Sequence, residues 1–561
     1  MPIAGRHFVI HSMTNIKCCS STSPPEFGWR SPSLFHCTVE VCALCCFSCG
    51  SHCQTGVFAL HVKVLHMIRD LVFPALVLIC ATFLLSGSLL NHDVSWYLIS
   101  TRWWLDGTPI YEEILELNPP LTFYLTVPPV WLAKSFDLSP TATFQTYVLI
   151  LSGVSLVLSQ RVLRQDKSVP DWMRIGFLTC GAIALAIVPL KDFGQREHLF
   201  VVFLLPYLTL ALVDYECPRR QRIIIAIWAT FGIAIKHYFV LVPLALALHR
   251  MFVEKSFRCV SKAEHSVPVI LMVAYVVAAR LLHPAYFNDV IPLAMQVYGG
   301  YESEVWAVLR KLTVLPVFFG LIVLMVLGNH GGTRASWALI AVVCAAFAIY
   351  VLQSKGWSYH RVPLVAGLFL ALNWATFELA RSQARKRVFG LIGLIAAILL
   401  INPILLFGTY RNGSTAYVAD YFTCPDGQRT VQVFSARVIH GFPLANYAKA
   451  QPSNRAPALW LFPGAAHQLS LTSDPESRAK YKETLDFARS LAISDFFRTN
   501  PQLVVVDTRK DKRYFKGTPF DYIEFFSQIP KFADAWQDYE RVGQVGGLTV
   551  YRRPGCDTPA L

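Results

Sequence analysis

The sequence predicts a polytopic α-helical membrane protein of about 11–12 transmembrane helices with a C-terminal extracytoplasmic α/β domain. Three observations carry this. Of 561 residues, 54% are hydrophobic and only 15% charged, against about 25% charged in soluble domains, and mean hydropathy is +0.43. Long apolar runs recur along the chain. Beyond Thr409 they shorten to strand length. The formal charge of +14 does not indicate nucleic acid, because Lys and Arg cluster in short loops between apolar segments, as the positive-inside rule demands.

Residues 1–66 hold eight of the fifteen cysteines, including Cys42, Cys45, Cys46, Cys49 and Cys53. Their spacing admits a zinc module. The reading preferred here is a disordered or non-native segment upstream of a natural start at Met67-Ile-Arg-Asp. The signal-peptide order of basic, apolar and small residues is missing from it.

Apolar segments follow at 71–90, 142–160, 175–191, 197–214, 222–236, 238–250, 266–283, 311–327, 336–352, 363–380 and 387–407. Loops 161–167, 218–222, 255–262 and 381–387 are basic and read as cytoplasmic. Loops 191–198, 284–311 and 355–361, and everything past 408, then lie on the outer side together with Asp93. Residues 119–136 carry four prolines and read as interfacial or half-inserted. The short pair 222–236 and 238–250 suggests a hairpin that turns at depth, placing Lys236, His237 and Tyr238 there. An ionisable group at that depth is a functional candidate, or an interhelical or snorkelling lysine.

In the C-terminal part, 431–434, 459–462, 503–507 and 548–551 read as strands. Residues 474–497 and 521–532 read as helices, with Asp474 capping the first. Cys424 and Cys556 could bridge or remain free thiols.

The outer loop 91–119 has built-in order. Trp96, Ile99 and Trp103 share a helix face suited to the headgroup level, leaving Arg102, Asp106 and Glu113 toward water or a cavity. The succession of first span, Asp93, Tyr97, Gly107-Thr-Pro109-Ile-Tyr111 and Asn118-Pro119-Pro120-Leu121 resembles the first outer loop of GT-C glycosyltransferases. These include protein O-mannosyltransferases and lipid A aminoarabinose transferases. The resemblance covers roughly residues 67–408. It implies a polyprenyl-phosphate-linked sugar donor, a glycan, lipid or protein acceptor, and a first-loop carboxylate at the active centre. The D-x-D or D-E pair of several branches is replaced by His92-Asp93-Val94.

Within that resemblance, Glu197 and His198 from the next outer loop would approach Asp93, often through a divalent cation (Mg or Mn). Asp192 and Arg196 are weaker candidates, and helix capping by the acids is the plain alternative. The run Lys355 to Pro363, with Tyr359, His360 and Arg361, resembles the family's polyprenyl-phosphate contact. A basic loop snorkelling to lipid is the alternative there. The site expected from these readings is Asp93 as base, Glu197 and His198 positioning it, and Lys236, Lys355, Tyr359, His360, Arg361, Tyr97 and Arg102 binding substrate. The implied reaction is sugar transfer to an acceptor hydroxyl at the outer face of the membrane, with inversion; a multi-span chain with short loops fits a bacterial inner membrane, with the endoplasmic reticulum as the alternative. A lipid or sugar transporter, or a noncatalytic assembly protein, would account for many spans and buried charges too. Paired repeats with broken helices, the transporter signature, are not evident.

Overall fold

The computed structural model describes residues 52–310, 334–380, 395, 397, 398 and 400–556. The segment at 311–327, part of 387–407, the basic loop 381–387 and residues 1–51 lie outside the described residues. The chain divides into two compact units, 1–65 and 66–561. The helix His52–Leu85 begins within the Cys-rich segment.

Six helices among the described residues are long and apolar enough to cross a membrane: 67–85, 140–163, 237–254, 263–282, 334–352 and 359–380. Helix Ala263–Leu282 leaves Val269, Ile270, Val273 and Leu281 exposed. A continuous aliphatic face of this kind suits lipid, not water. The Arg196–Leu212 helix has the opposite character. It is buried on nearly every side, packed between the Pro140–Leu163 and Arg219–Ile233 helices. Ser155 links the three: its hydroxyl donates to the Val202 carbonyl and accepts from Trp228 Nε1 at 2.8 Å. Small hydroxyl residues serve this role between membrane helices. At the opposite end of the first span, Asp70 is fully buried against Arg174 at 2.8 Å and Gln160 at 3.1 Å.

The segment with four prolines forms the 15-residue helix Leu121–Ser135, reaching only about 22 Å at 1.5 Å per residue. The hairpin at 222–250 is broken where expected. Arg219–Ile233 ends, Lys236 is extended, and a tight turn at His237–Val240 opens the helix Leu241–Glu254.

The C-terminal sheet has five strands in the order β2-β1-β3-β5-β4. They are β1 Thr430–Phe434, β2 Gln451–Pro452, β3 Leu503–Asp507, β4 Glu540–Val545 and β5 Leu548–Arg552. Strand β1 runs parallel to β2 and β3, while β5 is antiparallel to β3 and β4. Strands β1 and β3 are buried throughout, which is why they read as continuous apolar runs. The helix Pro475–Thr499 is capped by Asp474, which accepts from Ser477 N at 2.8 Å. Cys424 and Cys556 are disulfide-bonded.

One expected strand is a helix. Leu459–Phe462 leads into Leu461–Leu471, because a four-residue apolar run does not distinguish the two states. Its Gly464 lets the helix approach the Ile291–Val297 helix closely, since a Cβ there would stand 2.0 Å from the Val297 carbonyl oxygen. The predicted helix 521–532 is two short helices, Tyr522–Ser527 and Pro530–Trp536, separated before Pro530.

Candidate active site

A cavity of about 320 Å³ lies where the loops carrying Asp93, Arg196 and Lys355 meet the C-terminal sheet. Asp93 enters it from the first turn of the helix His92–Leu105, capped by Asn91. Its carboxylate is 13% exposed, and Arg196 Nη2 donates to Oδ2 at 3.0 Å. Burial pushes the Asp93 pKa up, but His92 and Arg196, with smaller help from Tyr359 and Lys236, outweigh it and hold the carboxyl below its usual range. Burial moves His92 the other way, lowering it.

Glu197 follows Arg196 in the first turn of the same buried helix, where the helix dipole favours an acid. It is fully buried. Lys236 Nζ lies 2.6 Å from its Oε1, and His360 Nε2 lies 3.7 Å from the same oxygen. The break in the 219–254 hairpin is what lets Lys236 reach that acid. Lys236 also donates to Gln353 Oε1 at 3.3 Å. Tyr359 and His360 join the cavity from the tight turn that opens the 359–380 span. Lys355 projects along the Tyr298 ring, 3.5 Å from its centroid. Burial lowers its ammonium to about 7. Tyr97 lines the cavity with its ring 5.5 Å from the Arg196 guanidinium.

Three expected site residues stand elsewhere. His198 is buried one residue past Glu197. Its Nδ1 accepts from Gly194 N at 2.9 Å and its Nε2 donates to the Leu185 carbonyl at 2.6 Å, so both nitrogens are committed to backbone. Arg102 is more than half exposed on the far side of its helix, 3.8 Å from Asp106. Arg361 Nε turns back to the Ser358 carbonyl at 3.5 Å and does not line the cavity.

Trp96 departs from its expected place in a headgroup belt. It is 1% exposed, packed edge-on to Trp103 and Phe442, and donates to Glu116 Oε2 at 2.6 Å. The C-terminal domain covers it. Glu116 is a cavity residue that sequence reasoning missed. It accepts from Asn118 N at 2.8 Å, and burial raises its carboxyl above the ordinary range. Its position two residues before Asn118-Pro-Pro was the available signal. Arg196, ranked low from sequence, is the ligand of Asp93. Asp192 ties three loops together, accepting from Asn91 Nδ2 at 2.8 Å and Ser358 Oγ at 3.0 Å. Burial pushes its carboxyl up to about 6.

The expected divalent cation does not fit this donor set. Asp93 and Glu197 are each matched to a basic side chain, and no group of three His, Cys, Asp or Glu side chains able to hold a metal occurs among the described residues. A dication between those carboxylates would also face Arg196 and Lys236.

No family model matches the sequence. A polyprenol-phosphate-mannose-dependent alpha-(1-2)-phosphatidylinositol mannoside mannosyltransferase of Mycobacterium tuberculosis is 25% identical over 388 residues, 61% of this chain and 86% of that protein. The Mycolicibacterium smegmatis protein of the same name is 28% identical over 148 residues, 23% of this chain and 32% of that one. Among solved structures, ArnT from Cupriavidus metallidurans bound to undecaprenyl phosphate aligns with TM-score 0.49 at 12% identity, over 86% of this chain and 97% of that one. The Archaeoglobus fulgidus oligosaccharyltransferase aligns with TM-score 0.43 at 12% identity, over 85% and 73%. The chain, with six helices among the described residues long and apolar enough to cross a membrane, is similar in sequence to polyprenol-phosphate-mannose-dependent mannosyltransferases.

Proposed function

We propose that the protein is a glycosyltransferase that moves a sugar from a polyprenyl-phosphate-linked donor to an acceptor hydroxyl at the outer face of the membrane, inverting the anomeric centre. One observation carries this: Asp93, Arg196, Lys236, Lys355, Tyr359 and His360 line a single cavity. The chemistry needs few groups. A lipid phosphate leaves as a stabilised anion, so the general acid that an alcohol leaving group requires is dispensable. What remains is a base for the acceptor hydroxyl and positive charge for the departing phosphate. Asp93 is ionised and serves as the base. Lys236 and Lys355 meet the phosphate, with Tyr359 and His360 supplying hydrogen bonds. Glu197 holds Lys236 in place, and Arg196 orients Asp93.

In this reading the cavity and the C-terminal domain are periplasmic and the bilayer is a bacterial inner membrane. The basic loops assigned to the opposite face support that orientation. The acceptor is a glycan, lipid or protein. Purified protein in nanodiscs, given a panel of polyprenyl-phosphate sugars, is expected to release polyprenyl phosphate and label an acceptor. Movement of an intact donor across vesicle membranes without cleavage of its sugar–phosphate bond would refute the reading.

A further inference from the structure

The far end of the helix bundle holds a group of charges that the reaction does not use. A small cavity of about 20 Å³ lies there, with Tyr207, His249, Arg250, Glu264, His265 and Arg334 as its polar lining. Four helices meet around it: Arg196–Leu212, Leu241–Glu254, Ala263–Leu282 and Arg334–Leu352. Three of them have their other ends at the first cavity. Arg196 opens one, Tyr238 shortly precedes another, and Gln353 follows the last. Arg334–Leu352 has 19 residues and so rises about 28 Å, close to the roughly 30 Å of a hydrocarbon core. The two cavities therefore stand at opposite faces of the membrane. The small one shares its face with the basic loops 218–222 and 255–262, whose Arg222 and Lys262 reach Glu264 and Glu254, each at 3.1 Å.

The charges at this end pair off and leave a remainder. Glu264 is taken by Arg222, and Glu254 by Lys262 and Arg250. His265 Nδ1 shares a 2.8 Å hydrogen bond with the Tyr207 hydroxyl. Arg334 is left over. Its Nε and Nη2, and Nε2 of His249, are buried atoms that meet no hydrogen-bond partner among the described residues. Burying such groups unpaired is costly. The Nε–Nη2 edge of a guanidinium is also the planar fork that grips two oxygens of a phosphate.

The surroundings favour a lipid-borne phosphate over a free one. Toward the bilayer centre, Leu244 and Leu248 are exposed inward of His249, and Val269 and Val273 inward of His265. On the other side Phe252 and Phe257 are 84% and 82% exposed, beside the exposed Lys255 and Arg258. Apolar groups exposed next to basic ones suit a membrane boundary, and basic pockets between membrane helices hold anionic headgroups.

We propose that this cavity binds the phosphate of an anionic glycerophospholipid in the leaflet opposite the first cavity. The proposal is independent of the transfer reaction. Arg334 donates from Nε and Nη2 to two phosphate oxygens, and His249 donates from Nε2 to one of them. The cavity volume admits those oxygens and not a whole headgroup, so the glycerol stays at the rim and the acyl chains run along the exposed aliphatic side chains.

The test uses the full chain in nanodiscs of phosphatidylcholine, with and without phosphatidylglycerol. It reads the lipid retained on the protein by native mass spectrometry, and the unfolding temperature. Wild type is expected to retain phosphatidylglycerol over phosphatidylcholine by about tenfold or more, as charge-assisted hydrogen bonds allow, and to unfold at a higher temperature when it is present. Arg334→Gln is expected to lose both effects. In phosphatidylcholine alone it should unfold no lower than wild type, because it removes an uncompensated charge. Lys255→Gln/Arg258→Gln, on the exposed loop, is expected to keep the preference. Equal retention of the two lipids by wild type, or a preference that survives Arg334→Gln, would overturn the assignment. So would a preference lost in the loop variant, which marks general surface attraction, or an Arg334→Gln protein that is less stable in phosphatidylcholine alone, which marks a structural arginine. Release of phosphatidylglycerol by an equal concentration of inorganic phosphate would overturn the lipid as the source.

Discussion

Arg196 Nη2 donates to Asp93 Oδ2 at 3.0 Å across a loop contact 103 residues apart in sequence. The pair joins the helix His92–Leu105 to the N-terminus of the buried helix Arg196–Leu212. Arg196→Met removes a positive neighbour from Asp93, so the Asp93 pKa must rise. The acidic limb of the pH–rate profile should move to higher pH, with kcat/KM down about 10–100-fold, the worth of a hydrogen bond to a charged group. Arg196→Lys keeps the charge but loses the planar fork, so the limb should stay near its wild-type position while kcat/KM still falls. Profiles that coincide for Met and wild type would contradict this coupling.

Glu197 and Lys236 form a buried pair 2.6 Å apart. Removing one partner leaves the other charge uncompensated, which costs about 3–5 kcal/mol, whereas replacing both is far milder. Thermal unfolding in detergent should show Glu197→Gln and Lys236→Met each well below wild type, with the double variant above either. All three should lose transfer activity, because Lys236 is needed for the phosphate.

Lys355 titrates at about 7 because burial disfavours its charge. It is cationic below that value and neutral above it, so its grip on a phosphate weakens as pH rises through 7. The Kd for undecaprenyl phosphate should therefore increase between pH 6 and pH 8, a window set by that value. Lys355→Arg stays charged throughout and should flatten the dependence. An unchanged slope in the variant would assign the titration to another group.

His198 uses both ring nitrogens on backbone partners. His198→Leu leaves a buried N–H and a buried carbonyl unpaired, at about 1–3 kcal/mol each. The expected outcome is a lower unfolding temperature with an unaltered turnover per folded molecule. Lost turnover in folded protein would restore His198 to the chemistry.

What the sequence made legible follows a physical line. Asp93, Lys236, Lys355, Tyr359 and His360 sit at the ends of apolar runs, where an ionisable or hydrogen-bonding group is costly and so conspicuous. Strands β1 and β3 were legible because burial on both faces makes each a short apolar run. Strand β4 was not, since its Glu540 and Arg541 lie on an exposed edge. Trp96 was misjudged because Phe442 of the C-terminal domain packs on it, and a pattern local to the loop carries no trace of that cover. Arg196 looked like part of a helix start because its partner is distant in the chain. His198 looked catalytic because nothing in the sequence shows that Gly194 and Leu185 claim its nitrogens.

The central claim is that Asp93 accepts the acceptor's proton. It is tested most directly by timing sugar transfer from a polyprenyl-phosphate-linked donor with wild type and Asp93→Asn, both shown to bind undecaprenyl phosphate. Loss of the base predicts a fall in kcat of about 10²–10⁴-fold with donor binding retained, and near-normal turnover by the variant would contradict it.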